Sequence, residues 1–115
     1  MSGIPEDEVT YSIECLPEDV SVRGNAVSSG DDAADKEDED RIIADLESGN
    51  EWAWCCVKVT ATWNGFTGKD YLGCCSYASE EDFKSGGYYE DMKQQALEDL
   101  HRNVADTLER LKGVR

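Results

Sequence analysis

Asn64-Gly65 stands between two runs of alternating side chains, and no other feature of the chain constrains its fold as much. A two-residue hairpin turn needs positive φ at both central positions, which glycine adopts freely and asparagine tolerates. Before the turn, Ala53, Cys55, Val57, Val59 and Ala61 alternate with Trp52, Trp54, Cys56, Lys58, Thr60 and Thr62. That is the period of two of a strand, in β-branched and aromatic residues that strands favour. Residues 51–78 therefore read as a β-hairpin. A two-residue turn sets Cys55 opposite Cys74, Val57 opposite Leu72, Lys58 opposite Tyr71, Trp54 opposite Cys75 and Trp52 opposite Tyr77. A longer loop using Gly65 and Gly68 would shift every pair.

Other elements follow from the same rules. In residues 9–16, Val9, Tyr11, Ile13 and Cys15 share one face of a half-buried strand, and Pro17 ends it because proline cannot donate to a ladder. Residues 20–26 form a weaker extended segment interrupted by Gly24-Asn25. Residues 31–47 predict a helix capped by Ser29 or Gly30, with Asp31 and Asp32 where the helix dipole favours anions. Apolar support arrives only late, at Ile42, Ile43 and Leu46, so the first half is expected to fray or to order on a partner. Ser79 opens a helical turn, and Gly86-Gly87 break it. A long amphipathic helix then runs over residues 88–112 with Met92, Ala96, Leu100, Val104, Leu108 and Leu111 on its apolar stripe. The expected fold class is α+β: a small antiparallel sheet of about three strands, with a central hairpin, packed against a long C-terminal helix, plus an acidic helix. One domain over residues 1–115 is expected, with 1–8 a flexible N-terminus, 28–48 an acidic helix or partly disordered segment, and 51–115 the hairpin-helix core.

Charge is divided unevenly. Residues 1–51 hold 16 acids against 3 bases, a net of −13, whereas residues 52–115 hold 10 against 8, a net of −2. Such a field repels nucleic acid and anionic membrane and attracts basic surfaces. The chain opens without a basic start and apolar run, and the apolar run of residues 52–57 is far too short to cross a bilayer. A soluble cytoplasmic protein that binds neither nucleic acid nor membrane is expected. The odd number of cysteines, five, fits reduced thiols.

Catalytic and metal motifs are missing. Cys55-Cys56 and Cys74-Cys75 are adjacent pairs, whose side chains point to opposite faces of a strand, whereas structural zinc favours two to four intervening residues. They read as small buried hydrophobes. His101, the only histidine, reads as a surface residue. The run from Asp31 fails the calcium-loop pattern, with Ala33, Lys36 and Ile42 where Asp or Asn, Gly and Glu are needed. No phosphate loop, dinucleotide fingerprint, nucleophile elbow or metalloprotease motif occurs. No enzyme activity, cofactor or metal is expected.

Two features carry the functional expectation. Trp52, Trp54, Tyr71 and Tyr77 fall on one sheet face in the register above, either as a second small core or as a protein-binding patch. Asp31, Asp32, Asp35, Asp38, Glu39 and Asp40 form columns of carboxylates at i, i+4. One column rises about 6 Å per step and two interleaved columns give a charge about every 3 Å, close to the roughly 3.4 Å between phosphates on a DNA strand. The alternative for this run is a solubilising, partly disordered segment.

Trp52-Ala53-Trp54-Cys55-Cys56-Val57-Lys58-Val59, Trp63-Asn64-Gly65-Phe66, Asp70-Tyr71-Leu72-Gly73-Cys74-Cys75-Ser76-Tyr77 and Tyr88-Tyr89-Glu90-Asp91-Met92 resemble small uncharacterised proteins of bacteriophages and prophages. The resemblance covers under half of the chain and brings no catalytic residues with it. It implies a phage accessory protein, a class that includes acidic inhibitors of CRISPR and restriction systems acting in the cytoplasm of the infected host. The leading expectation is a non-enzymatic acidic protein that occupies the basic surface of a host nucleic-acid-binding or defence complex in the manner of a DNA mimic. Asp31, Asp32, Asp35, Asp38, Glu39 and Asp40 would supply the field, and Trp52, Trp54 and Tyr77 the anchors. A phage structural or accessory protein that self-associates as a homodimer through the aromatic face, or a small metal- or ligand-binding module, stands as the alternative.

Overall fold

A computed structural model describes residues 4–26 and 30–113. Its elements are β1 (Thr10–Pro17), α1 (Asp32–Glu47), β2 (Cys55–Trp63), β3 (Phe66–Cys75), α2 (Glu80–Ser85) and α3 (Tyr88–Lys112), with single 3-10 turns at Glu6–Glu8 and Glu51–Ala53. The strands form one antiparallel sheet in the order β1-β2-β3, and the fold class is α+β with α3 packed on the sheet.

The hairpin turn is the short one. Asn64 (φ 53°) and Gly65 (φ 83°) both take positive φ, β2 stops at Trp63 and β3 starts at Phe66. Cys55, Val57, Val59 and Ala61 are buried on β2, and Phe66, Gly68, Asp70 and Leu72 are the less exposed positions of β3. This alternation fails after Leu72: Gly73 and Cys74 are both exposed, and Cys75 is buried. Cys74 sits at φ 55°, and its N–H donates to the Glu18 carboxylate. The end of β3 is thus not a simple alternation, while Trp52 and Tyr77 meet as the two-residue turn predicts, the Tyr77 N–H donating to the Trp52 carbonyl at 2.7 Å.

The chain divides into two compact units. The first comprises Met1–Glu14, Lys58–Tyr71 and Tyr88–Arg115. In it α3 buries Met92, Ala96, Leu97, Leu100 and Val104. Gly68 makes this approach feasible, because a Cβ there would overlap the Leu100 backbone nitrogen and the Ala96 carbonyl oxygen. Two α3 side chains also satisfy the β3 edge: the Lys69 N–H donates to Asp99 (2.8 Å), and the Asn103 amide donates to the Thr67 carbonyl (2.7 Å). An uncovered edge would invite pairing with another strand. Burial ends at Val104; Leu108 and Leu111, expected on the stripe, are exposed. Residues 4–8, expected as a flexible arm, include a buried Ile4 and the first 3-10 turn, while residues 1–3 of that arm lie outside the described residues.

The second unit comprises Cys15–Val57 and Leu72–Gly87. Val22, Ile42 and Trp54 form its buried cluster, with Ala26 and Ile43 packed against them. The 20–26 segment is not a strand. It turns on itself, with the N–H groups of Asn25 and Ala26 both donating to the Val22 carbonyl. The helix cap of α1 is Asp31, whose carboxylate accepts from the Ala33 and Ala34 N–H groups, rather than Gly30; Ser29 lies outside the described residues. Ser79 caps α2 through the Asp82 N–H, as its position in the sequence predicts. Phe83 is fully buried, with Tyr77 edge-on at 5.1 Å and Trp52 tilted at 5.8 Å.

Candidate acidic interaction face

The second unit contains 15 acids and 4 bases, a net of −11 out of −15 for the whole chain. Helix α1 supplies most of these charges, and its poor apolar stripe raises the question of what orders it. Three contacts do so. Asp31 closes the N-terminus, Ile42 anchors the C-terminal half, and Arg23 grips the middle from the preceding loop. The Arg23 guanidinium donates to Glu39 (3.2 Å), to Asp40 and to the Lys36 carbonyl (3.5 Å). Glu39 also accepts the Gly24 N–H at 2.7 Å. A carboxylate that replaces its water with a backbone N–H and a guanidinium can be buried without the penalty of an unpaired charge.

These contacts sort the expected partner-binding residues. Glu39 is buried at 8% exposure and faces the protein's own loop, so it is a structural residue in the described fold. Asp31 is exposed but committed to the helix cap. Asp40 is exposed and held by Arg23 and Lys36, and the Arg23 hydrogen bond keeps its carboxyl below the usual carboxylate range. Asp38 is half-buried and pairs with Arg41 at 3.1 Å. Asp35 is half-buried, and Asp32 is exposed. The 31/35/39 column thus runs from a cap into the interior, and Lys36 interrupts the 32/36/40 column. No unbroken ladder of carboxylates at phosphate spacing results. What α1 presents outward is Asp32, Glu37, Asp40, Asp45 and Glu47, with Lys36 and Arg41 among them.

Aromatic residues separate in a comparable way. Trp52 lies in the 3-10 turn, not on β2, and packs with Tyr77 on Phe83. Trp54 follows that turn and is buried against Val22 and Ile42, its indole N–H donating to the Val20 carbonyl at 2.7 Å. Tyr71 stands exposed on β3. Within the second unit, Trp52 and Tyr77 thus meet over Phe83 in one small core, and Trp54 belongs to a separate buried cluster.

All five cysteines fall in the second unit and are free thiols. Burial pushes each thiol up: strongly for Cys55, which also meets Cys15, and to about 11 for Cys75. Cys15, Cys56 and the exposed Cys74 are raised for the same first reason, with Glu18 adding to the last two. Among the described residues, no group of three His, Cys, Asp or Glu is placed to hold a metal ion, and no helix is long and apolar enough to cross a membrane. His101, half-buried on α3, lies in the first unit, away in sequence from every other candidate.

Sequence reasoning missed three contributors. Arg23 is the only base in the first 35 residues, and a lone cation there was the available signal for its role. Glu18 binds the Cys74 N–H, a contact across 56 positions with no local signature. A cavity of about 140 Å³, lined by Cys15, Leu16, Pro17, Leu46, Glu51 and Trp54, opens near the C-terminal end of α1. No family model, curated protein or solved structure matches this chain.

Proposed function

We propose that the protein is a non-enzymatic acidic inhibitor, phage-encoded and acting in the cytoplasm of a bacterial host. It docks the outward face of α1 on the basic surface of a nucleic-acid-binding or defence complex and so excludes the nucleic acid. One observation carries the reading: a net charge of −11 is gathered in one compact unit whose acidic helix is capped, anchored and gripped by its own loop. A rigid acidic helix meets a cationic groove without a large ordering cost, and it gains from counterion release as a nucleic acid does. Release depends on the number of charges neutralised, so a regular phosphate spacing is not required. Steering by the field makes association fast and salt-sensitive.

The test replaces outward-facing acids that take no part in the cap, the Ile42 anchor or the Arg23 grip. Asp32→Lys, Glu37→Lys, Asp45→Lys and Glu47→Lys together change the net charge by 8 while leaving Asp31, Glu39 and Asp40 in place. Wild type and variant are used to capture proteins from nuclease-treated bacterial lysate at low and high salt, and the captured complex is then offered labelled nucleic acid. The proposal expects capture by wild type only, loss at high salt, and blocked nucleic-acid binding by the captured complex. Equal capture by both proteins, or a captured complex that binds nucleic acid normally, overturns it.

A further inference from the structure

We propose that the cavity at the C-terminal end of α1 receives one apolar side chain from a lysine- or arginine-rich segment of the partner protein. The proposal rests on the acidic docking reading above and adds where specificity comes from. The cavity's volume of about 140 Å³ matches the size of a phenyl or isobutyl group, since an apolar protein cavity of about 150 Å³ accepts benzene. Its walls show carbon. Leu16, Pro17 and Leu46 bring no side-chain polar atom, the polar atoms of Trp54 and Cys15 are engaged inside the protein, and the Glu51 carboxylate is the charged group of the lining. The Trp54 indole N–H donates to the Val20 carbonyl, and the Cys15 thiol donates to the Glu51 carbonyl at 3.4 Å. An occupant therefore meets mainly apolar surface and an indole face, and a neutral polar one would lose its water with little compensation.

The surroundings specify the flanks of that occupant. Leu46 is 38% exposed on the last turn of α1, a turn with no basic residue. Asp45 and Glu47 flank it, and Glu51 lines the cavity itself. A helix C-terminus carries partial negative charge and is stabilised by cations, so acids placed there oppose the helix's own dipole. This local conflict is relieved by cations from outside. An apolar side chain with Lys or Arg on either side satisfies both the apolar walls and the negative rim, and charge complementarity sets such a segment above a neutral apolar ligand.

The experiment uses the full chain and two synthetic peptides with blocked ends, Arg-Lys-Phe-Lys-Arg and its counterpart with Ala in place of Phe. Calorimetric titration at low salt is expected to show the Phe peptide binding at least about tenfold more tightly, the low end for burying such a side chain. Nuclear Overhauser contacts are expected between the peptide ring and the Trp54 indole. Added salt weakens both peptides, and Leu46→Trp, which fills the mouth at an exposed position without changing charge, makes the two peptides bind equally. Equal, salt-sensitive binding of both peptides to wild type overturns the cavity proposal and leaves the acidic reading intact. A Phe preference that survives Leu46→Trp, or ring contacts elsewhere, also overturns it. No binding of either peptide removes both.

Discussion

Removing the Glu39 carboxylate is expected to destabilise the fold far more than removing any outward-facing acid of α1. Glu39→Ala deletes a hydrogen bond from the Gly24 N–H at 2.7 Å and one from Arg23 at 3.2 Å. A bond to a charged acceptor is worth about 1.5–3 kcal/mol, and the loss includes the cost of leaving the Gly24 donor unpaired. The Arg23 side chain is half exposed, so its pairing adds little beyond that. The expected loss is about 2–3 kcal/mol, with Glu39→Gln, which keeps an acceptor for Gly24, losing about 1 kcal/mol. Urea unfolding followed by circular dichroism reads this directly: at a slope of about 1–3 kcal/mol per molar, the Ala variant's midpoint falls by about 0.7–3 M. Glu37→Ala and Glu47→Ala should stay within about 0.5 kcal/mol of wild type. A Glu39→Ala midpoint indistinguishable from those two controls would refute the gripping of α1 by the 20–26 loop.

Three further outcomes follow from other parts of the molecule. Gly68→Ala puts a Cβ against α3 backbone atoms that cannot give way, and thermal melting should show a loss of about 3 kcal/mol or more; an unchanged melting temperature would contradict the close approach. Trp54→Phe keeps an aromatic ring but abandons the Val20 carbonyl, for an expected cost of about 1 kcal/mol in the same melts. Alkaline pH should weaken the fold through Cys55 and Cys75. Their thiols stay protonated in the folded state while the unfolded chain ionises from about pH 8.5, so stability falls from there upward until the folded thiols ionise as well. With the Cys75 thiol at about 11, that residue alone accounts for about 2 kcal/mol by pH 10, and Cys75→Ala should flatten the decline in urea titrations between pH 8 and 10.

Local signals are legible in the sequence, and long-range ones are not. Asn64-Gly65, Ser79 and the α3 stripe up to Val104 each act within a few residues, through turn geometry, capping or helical spacing. Cys74 is different. Its positive φ accompanies a hydrogen bond from its N–H to Glu18, which no periodicity in residues 66–75 announces. The burial of Glu39 depends on Arg23, 16 positions earlier, so a residue that looks like one more surface acid is an internal one. Trp52 continues the alternation of β2 on paper, yet Asn50 caps a 3-10 turn through the Trp52 N–H and ends the strand pattern before it. Leu108 and Leu111 continue the α3 spacing past the point where burial stops, because a helical period tells which side is apolar and not how far the covering surface extends.

Hydrogen exchange on the isolated protein tests the account at its centre, which is that α1 presents a formed acidic face before any partner arrives. The first helical bond runs from the Asp35 N–H to the Asp31 carbonyl, and Arg23 and Ile42 secure the turns beyond. Amides of residues 36–47 should exchange at least about a hundredfold more slowly than in an unstructured chain, and Glu39→Ala should erase most of that protection. Random-coil exchange across these residues in the wild-type protein would contradict the account.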